Sequence, residues 1–191
     1  MRLTFKEIKD EISKIVPRNI EYNVDLEAGD IAIFTKDFEP FTSNDGLAGK
    51  ISKKIKRRIV MRPEPDMVMD KDDAAAVIKD LIPESANISE LFFDPCIWKV
   101  IIQCENPSDA VGRRGSIAKE IRNSTGWEVS VERTPPILSK TVRDIRGYRE
   151  ANADERRKLL RNFGLNIHRP KRPGSTWARV TALGSYQEVG R

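Results

Sequence analysis

Gly112-Arg113-Arg114-Gly115 sets two guanidinium groups between two residues without side chains. Glycine lets a backbone come close to a bulky polyanion, and arginine offers a planar fork of donors that matches phosphate oxygens. The tetrapeptide is therefore suited to clasping a sugar-phosphate chain, although a Gly-x-x-Gly string alone is often a plain turn. A second such string, Gly46-Leu47-Ala48-Gly49, opens a run to Pro63 that holds Lys50, Lys53, Lys54, Lys56, Arg57, Arg58 and Arg62 with no acid. That run reads either as a solvated helix face or as a polyanion site. Hydrolytic and metal chemistry are poorly supplied. His168 is the only histidine, and Cys96 and Cys104 have no zinc-ligand spacing with it or with each other. In a reducing compartment they read as strand residues, so no catalytic residue and no metal ligand is assigned in this stretch.

The 191 residues are 33% charged, 39% hydrophobic and 7% aromatic, with a mean hydropathy of −0.51. This fits one ordinary domain or two small ones. The longest apolar run, Ala74 to Ile78, is far short of the roughly 20 residues needed to cross a bilayer. Charged residues in Met1 to Glu7 interrupt the place where an export signal would be apolar, so a cytoplasmic chain is expected. Charge is uneven along the chain. Residues 1–70 carry 13 basic and 13 acidic side chains, 71–136 carry 8 and 11, and 137–191 carry 13 and 5.

The elements that must position the glycines follow from an internal repeat. Ile12, Ile15, Val16 and Pro17 recur 66 residues later as Ile78, Leu81, Ile82 and Pro83, and Gly46, Gly49, Ile51 and Ile55 recur at the same shift as Gly112, Gly115, Ile117 and Ile121. Each copy predicts helix, strand, strand, short helix, glycine loop, helix, strand. In the first, Thr4 and Glu7 form a capping box for a helix from Phe5 to Pro17, and Ile20–Leu26 and Ile31–Thr35 read as strands. In the second, Ile88–Phe93 and Ile97–Cys104 are strands, Asn106 caps a short helix with Pro107 at its first position, and Trp127–Glu132 alternates strictly.

A glycine loop between two helices, feeding the N-terminus of the second, is the arrangement of the K-homology (KH) module, which clamps about four nucleotides of single strand. The expected fold is α+β: two tandem KH domains of the prokaryotic type at 1–66 and 67–136, a basic helical linker at 137–176, and a further domain starting at 177–191. Gly112, Arg113, Arg114, Gly115, Ser116, Ile117, Lys119, Arg122, Val129 and Val131 are the expected RNA-binding residues. Val111, Ile117, Ala118, Ile121, Val129 and Val131 are groove floor or core, with core the better reading for Ile121, and Trp127 is a stacking platform or packing. Gly46, Gly49, Lys50, Lys53, Lys54 and Arg57 are a secondary RNA-binding set, ranked lower because Leu47 and Ala48 offer no side-chain donors. In the linker, Val142–Phe163 is expected to be helical with a break at Ala151–Asp154, and Arg156, Arg157, Lys158, Arg161, Arg169, Lys171 and Arg172 read as an RNA track or a solvated strap.

Trp127 to Pro136 and Arg179 to Arg191 carry a resemblance. The chain resembles the N-terminal part of archaeal ribonucleases of the cleavage and polyadenylation specificity factor type, also described as transcription termination factors. The resemblance implies two KH domains ahead of a metallo-β-lactamase domain with an inserted β-CASP domain, a nuclease holding two zinc ions. It also implies that Val180 to Arg191 begins the metallo-β-lactamase domain, and that the full-length protein works on transcript 3′ ends beside RNA polymerase and its elongation factors. A homodimer is implied only through regions outside this sequence. The His-x-His-x-Asp-His zinc cluster is absent from these residues. The alternative is a non-enzymatic tandem KH scaffold associated with transcription or the ribosome.

Overall fold

The computed structural model describes residues 3–42, 46–137 and 139–169. The chain begins with α1 (Phe5–Ile15), whose capping box is fully formed: the Thr4 side chain accepts from the Glu7 N–H while the Glu7 carboxylate accepts from the Thr4 N–H. Ile8 and Ile12, one turn apart, bury its inner face. β1 (Tyr22–Glu27) and β2 (Asp30–Thr35) pair antiparallel, and β3 (Ile59–Pro63) runs parallel to β2 after α2 (Glu39–Thr42) and α3 (Leu47–Ile55). The first core draws on Ile8 and Ile12, Leu26, Ile31 and Ile33, Phe41, and Ile51 and Ile55.

The second unit repeats this order and the same strand pairing. α4 (Lys71–Leu81), β4 (Ile88–Asp94), β5 (Lys99–Cys104), α5 (Pro107–Val111), α6 (Ser116–Thr125) and β6 (Glu128–Arg133) enclose a core around Ile78, Val100, Ile102 and Ile121. Its sheet order is β4-β5-β6, antiparallel then parallel. Trp127 is packing: it is buried, meets Phe93 edge to face at 4.8 Å, and its Nε1 donates to the Met69 carbonyl at 2.9 Å. Cys104 lies in β5 as expected, but Cys96 sits in the turn before it. Pro107 does open α5, whereas the Asn106 side chain donates to the Ser85 carbonyl instead of capping the helix.

The linker is two helices broken at Asn152, α7 (Lys140–Ala151) and α8 (Ala153–Ile167). They clasp both units. α7 lies on β4, with Arg146 over Phe92 at 4.2 Å. α8 lies on β1, where the Ala28 N–H donates to the Leu160 carbonyl at 3.0 Å and Gly164 is pressed against Leu26 too closely to admit a side chain. His168 is buried at its end, with Nδ1 3.1 Å from the Leu3 carbonyl.

Several of the linker cations, read as an RNA track or a solvated strap, are paired inside the structure instead. Arg149 and Arg156 both grip the buried Asp94, at 2.7 and 2.8 Å. Arg157 donates to the Pro95 carbonyl and lies over Trp98, and Arg161 pairs with Asp25. These arginines hold the clasp to the body because the buried Asp94 carboxylate and the part-buried Pro95 carbonyl are shielded from competing water. Lys158 and Arg169 stay exposed. Lys171, Arg172 and the expected start of a metallo-β-lactamase domain at 177–191 lie outside the described residues.

The seam between the units centres on Arg62. Its guanidinium bonds both Glu27 oxygens at 2.8 Å and Glu128 at 2.7 Å. Burial opposes its charge, yet Glu27 and Glu128 outweigh that and raise its pKa above the ordinary arginine value. Phe34 meets Trp98 edge to face at 5.5 Å across the same seam. The loop at Met67 crosses Gly126 so tightly that a Cβ there would lie 2.7 Å from the Met67 carbonyl oxygen. With its outer face covered, β2 is buried at Ile31, Ala32 and Ile33 in succession, which explains an apolar run without alternation.

Candidate nucleic-acid interface

Residues 112–115 form the turn between α5 and α6. Gly112 has φ 74° and ψ 173°, a conformation open to glycine alone, and Gly115 has φ 76°. Arg114 between them is itself left-handed at φ 53°. The two glycines act differently. A Cβ on Gly112 would lie 2.7 Å from Ile117 Cγ1, so this position is closed by the fold, whereas Gly115 has nothing within 4 Å of where a Cβ would stand. The second glycine thus leaves open space above the turn.

Arg113, Arg114, Ser116 and Lys119 are all exposed. No side chain caps α6, so its first-turn N–H groups present the positive end of the helix dipole to this space, and an anion is the partner such a terminus favours. Ile117, Val129 and Val131 are half-buried on the edge of the second core, beside the turn, with Val129 and Val131 on the edge strand β6. Ile121 is fully buried and is core. These residues form one surface: a cationic turn, a helix N-terminus and an apolar ledge.

Arg122 is not on that surface. Its guanidinium lies over Phe38 of the first unit at 5.1 Å, and its Nε is enclosed without an acceptor among the described residues. Helical periodicity explains the difference, because Ile117, Ile121 and Thr125 face the core and turn Lys119, Arg122 and Asn123 toward the neighbouring unit.

The first unit has no glycine loop at Gly46–Gly49. Gly46 is the N-cap of α3 and Gly49 lies inside the helix, while Leu47 and Ala48 pack on the first core. The shift of 66 holds for α1 and α4, which start at Phe5 and Lys71, but β2 and β5 start 69 apart, as do α3 and α6. The loop glycines aligned at 66 are therefore not equivalent. At 69, Gly46 matches Gly115, Lys50 matches Lys119, and the positions of Gly112, Arg113 and Arg114 are taken by Ser43, Asn44 and Asp45. Lys50, Lys53 and Arg57 are exposed on and after α3, and Lys54 stands 3.7 Å from Glu11. Of the remaining run, Arg62 is committed to the seam.

Among the described residues no three His, Cys, Asp or Glu side chains are placed to hold a metal ion. Burial pushes both thiols up, away from the thiolate a metal would need. The described residues do not fit a zinc centre. No helix among them is long and apolar enough to cross a membrane.

Residues 2–68 match the family model described as the KH domain of transcription termination factor FttA. Over 187 residues the chain is 36% identical to the FttA of Methanothermobacter thermautotrophicus and 36% identical to that of Thermococcus kodakarensis, covering 97% of this chain and 29% of each relative. It is 32% identical over 192 residues to the FttA of a Lokiarchaeum, covering 99% of this chain and 30% of the relative. The chain thus spans under a third of the length of these relatives. Residues 2–68 are a KH domain of the kind carried by FttA, and the chain is homologous to the archaeal transcription termination factors of that name.

Proposed function

We propose that this chain is a tandem KH module that captures single-stranded RNA on its second unit, in the cytoplasm and in the service of archaeal transcription termination. The observation that carries the reading is the turn at Gly112–Gly115: two positive-φ glycines, two exposed arginines and an uncapped helix beside an apolar ledge. Single-strand readers of this class need both a phosphate clamp and a surface for unstacked bases. The second unit supports the tandem reading by repeating the element order and strand pairing of the KH-matched first unit. The first unit, with Ser43, Asn44 and Asp45 in its sequence where the second has Gly112, Arg113 and Arg114, buttresses the second and adds non-specific attraction through Lys50, Lys53 and Arg57. By resemblance, the captured RNA passes to a zinc-dependent β-CASP nuclease in the longer protein, acting near RNA polymerase. No step on the described residues runs through zinc.

The test is Arg113→Asp with Arg114→Asp, which leaves both glycines and reverses two exposed charges. Affinity for a single-stranded RNA is expected to fall at least about tenfold, roughly 1.4 kcal/mol, with the melting temperature nearly unchanged. Lys50→Glu with Lys53→Glu should cost less. Equal losses from the two pairs, or equal affinity of the parent protein for duplex and single strand, would overturn the reading.

A further inference from the structure

We propose that the cleft between the two units is a second phosphate-binding segment, continuing the RNA path from the Gly112–Gly115 turn along α6. The inference rests on the RNA-binding reading of that turn and extends it to a place where no loop motif exists. Lys119 lies about one helical turn beyond Gly115 and Arg122 about two, or roughly 6 and 10 Å along the axis. They step from the turn into the cleft.

The cleft has two connected parts of about 480 and 380 Å³, sharing Phe38, Thr42, Pro63, Arg122 and Gly126. Six cationic side chains line it against three carboxylates. The pairing decides which of these are available. Arg62 and Glu128 hold each other, Lys36 is drawn to Asp66 at 2.7 Å, and Asp37 accepts from the Glu39 N–H. Arg58 has only a 3.9 Å contact with Asp30, and no carboxylate among the described residues pairs with Lys99, Lys119 or Arg122. Glu39 remains as the exposed acid at the rim.

Arg122 shows what is missing. Its plane is held by the Phe38 ring, while Nε is enclosed with no acceptor among the described residues. Arg122 lines the cleft with no carboxylate partner among the described residues, and a phosphate oxygen accepts from a guanidinium better than any neutral group. A groove that couples cations to an aromatic ring is also how single strands are tracked without base readout. The continuity through Lys119 favours RNA over an acidic peptide, which would have no reason to follow the helix from the glycine turn.

The experiment compares uridine oligomers of about 5 and 12 nucleotides, titrated by fluorescence anisotropy against the whole chain. The short strand is matched to the turn's own span of about four nucleotides. The long one reaches the cleft. Arg122→Gln and Lys99→Glu are each expected to weaken the 12-mer about fivefold to tenfold and to lower its salt slope by about one, leaving the 5-mer unchanged. Lys99 is on β5, outside α6, so it carries the test even where Arg122→Gln disturbs packing. Unchanged 12-mer affinity in Lys99→Glu, with the Arg113/Arg114 reversal still abolishing binding, overturns the cleft and leaves the turn standing. No effect of the Arg113/Arg114 reversal on either strand overturns the turn itself. Lys99-dependent binding of polyglutamate, with RNA unaffected, assigns the cleft to an acidic protein partner and overturns the proposal.

Discussion

Arg62→Met tests whether the seam is held by the charge network or by apolar packing around it. The substitution keeps much of the stem and removes the fork. Arg62 is 8% exposed, Glu27 16% and Glu128 47%, so the three groups lose different amounts of hydration in the folded protein. Glu128 returns easily to water, and a half-exposed pair of this kind contributes at most about 1 kcal/mol. Glu27 cannot, since its two oxygens face the space the guanidinium would leave. Removing one partner of a buried pair costs about 3–5 kcal/mol. Because the methionine recovers some packing, about 3 kcal/mol is expected, or roughly 6–12 °C in melting temperature for a chain of this size.

Thermal and urea unfolding followed by tryptophan fluorescence give the measurement. Trp98 is the seam's own reporter, packed against Phe34 and under Arg157. Adding Glu27→Leu to Arg62→Met should recover most of the loss, since an apolar replacement of a buried pair is close to neutral. A single variant within about 1 kcal/mol of the parent, or a double variant no more stable than the single, would refute a network-held seam.

The two glycines of the turn should separate stability from binding. Gly112→Ala forces a Cβ against Ile117 Cγ1 in a backbone region closed to alanine, so it should lower both the melting temperature and RNA affinity, whereas Gly115→Ala meets open space and should cost only about 1 kcal/mol of backbone strain while obstructing the RNA. Equal effects of the two on affinity per degree of lost stability would contradict that division. The capping box supplies a pH test: the Thr4 backbone N–H and then its hydroxyl hold the Glu7 carboxyl below the usual glutamate range. A carboxyl with a folded pKa below its unfolded value stabilises above that unfolded value, and the benefit is lost as pH falls through the folded one. The protection of the α1 amides, taken relative to their intrinsic exchange rate at each pH, should therefore fall on acidification below the ordinary glutamate range, and Glu7→Gln should remove that dependence.

The fold was readable to the extent that local rules decide it. The capping box at Thr4 and Glu7, the Pro107 start of α5, the alternating Glu128–Arg133 strand and the break between α7 and α8 each depend on neighbours a few residues away. The first glycine string misled because repeats drift. Three residues more separate the later elements of the two copies than separate α1 from α4, and a constant shift therefore aligned Gly46 and Gly49 with a turn from which they are displaced. Burial shows the slip, since Ile51 is fully buried while Ile117, its match at a shift of 66, is only half-buried.

The charge runs were illegible for a different reason. A cation's role depends on which acid or carbonyl the fold brings to it, and that information is spread over the whole chain. Arg62 meets Glu27 and Glu128, 35 and 66 residues away, and Arg156 meets Asp94, 62 away. Runs that look equivalent in sequence thus divide into cations neutralised inside the structure and cations left for a ligand. The strongly basic C-terminal part contributes mainly to the first class among its described residues, through Arg149, Arg156, Arg157 and Arg161. The second class includes Arg113, Arg114 and Lys119 at the turn, and Lys50, Lys53 and Arg57 on the first unit, all exposed with no carboxylate pairing among the described residues. Net charge therefore points to the linker, where Arg149, Arg156, Arg157 and Arg161 are already paired. Subtracting the arginines that already have buried or half-buried partners moves the expected polyanion site from the linker to the N-terminal end of α6, where glycine geometry had placed it independently.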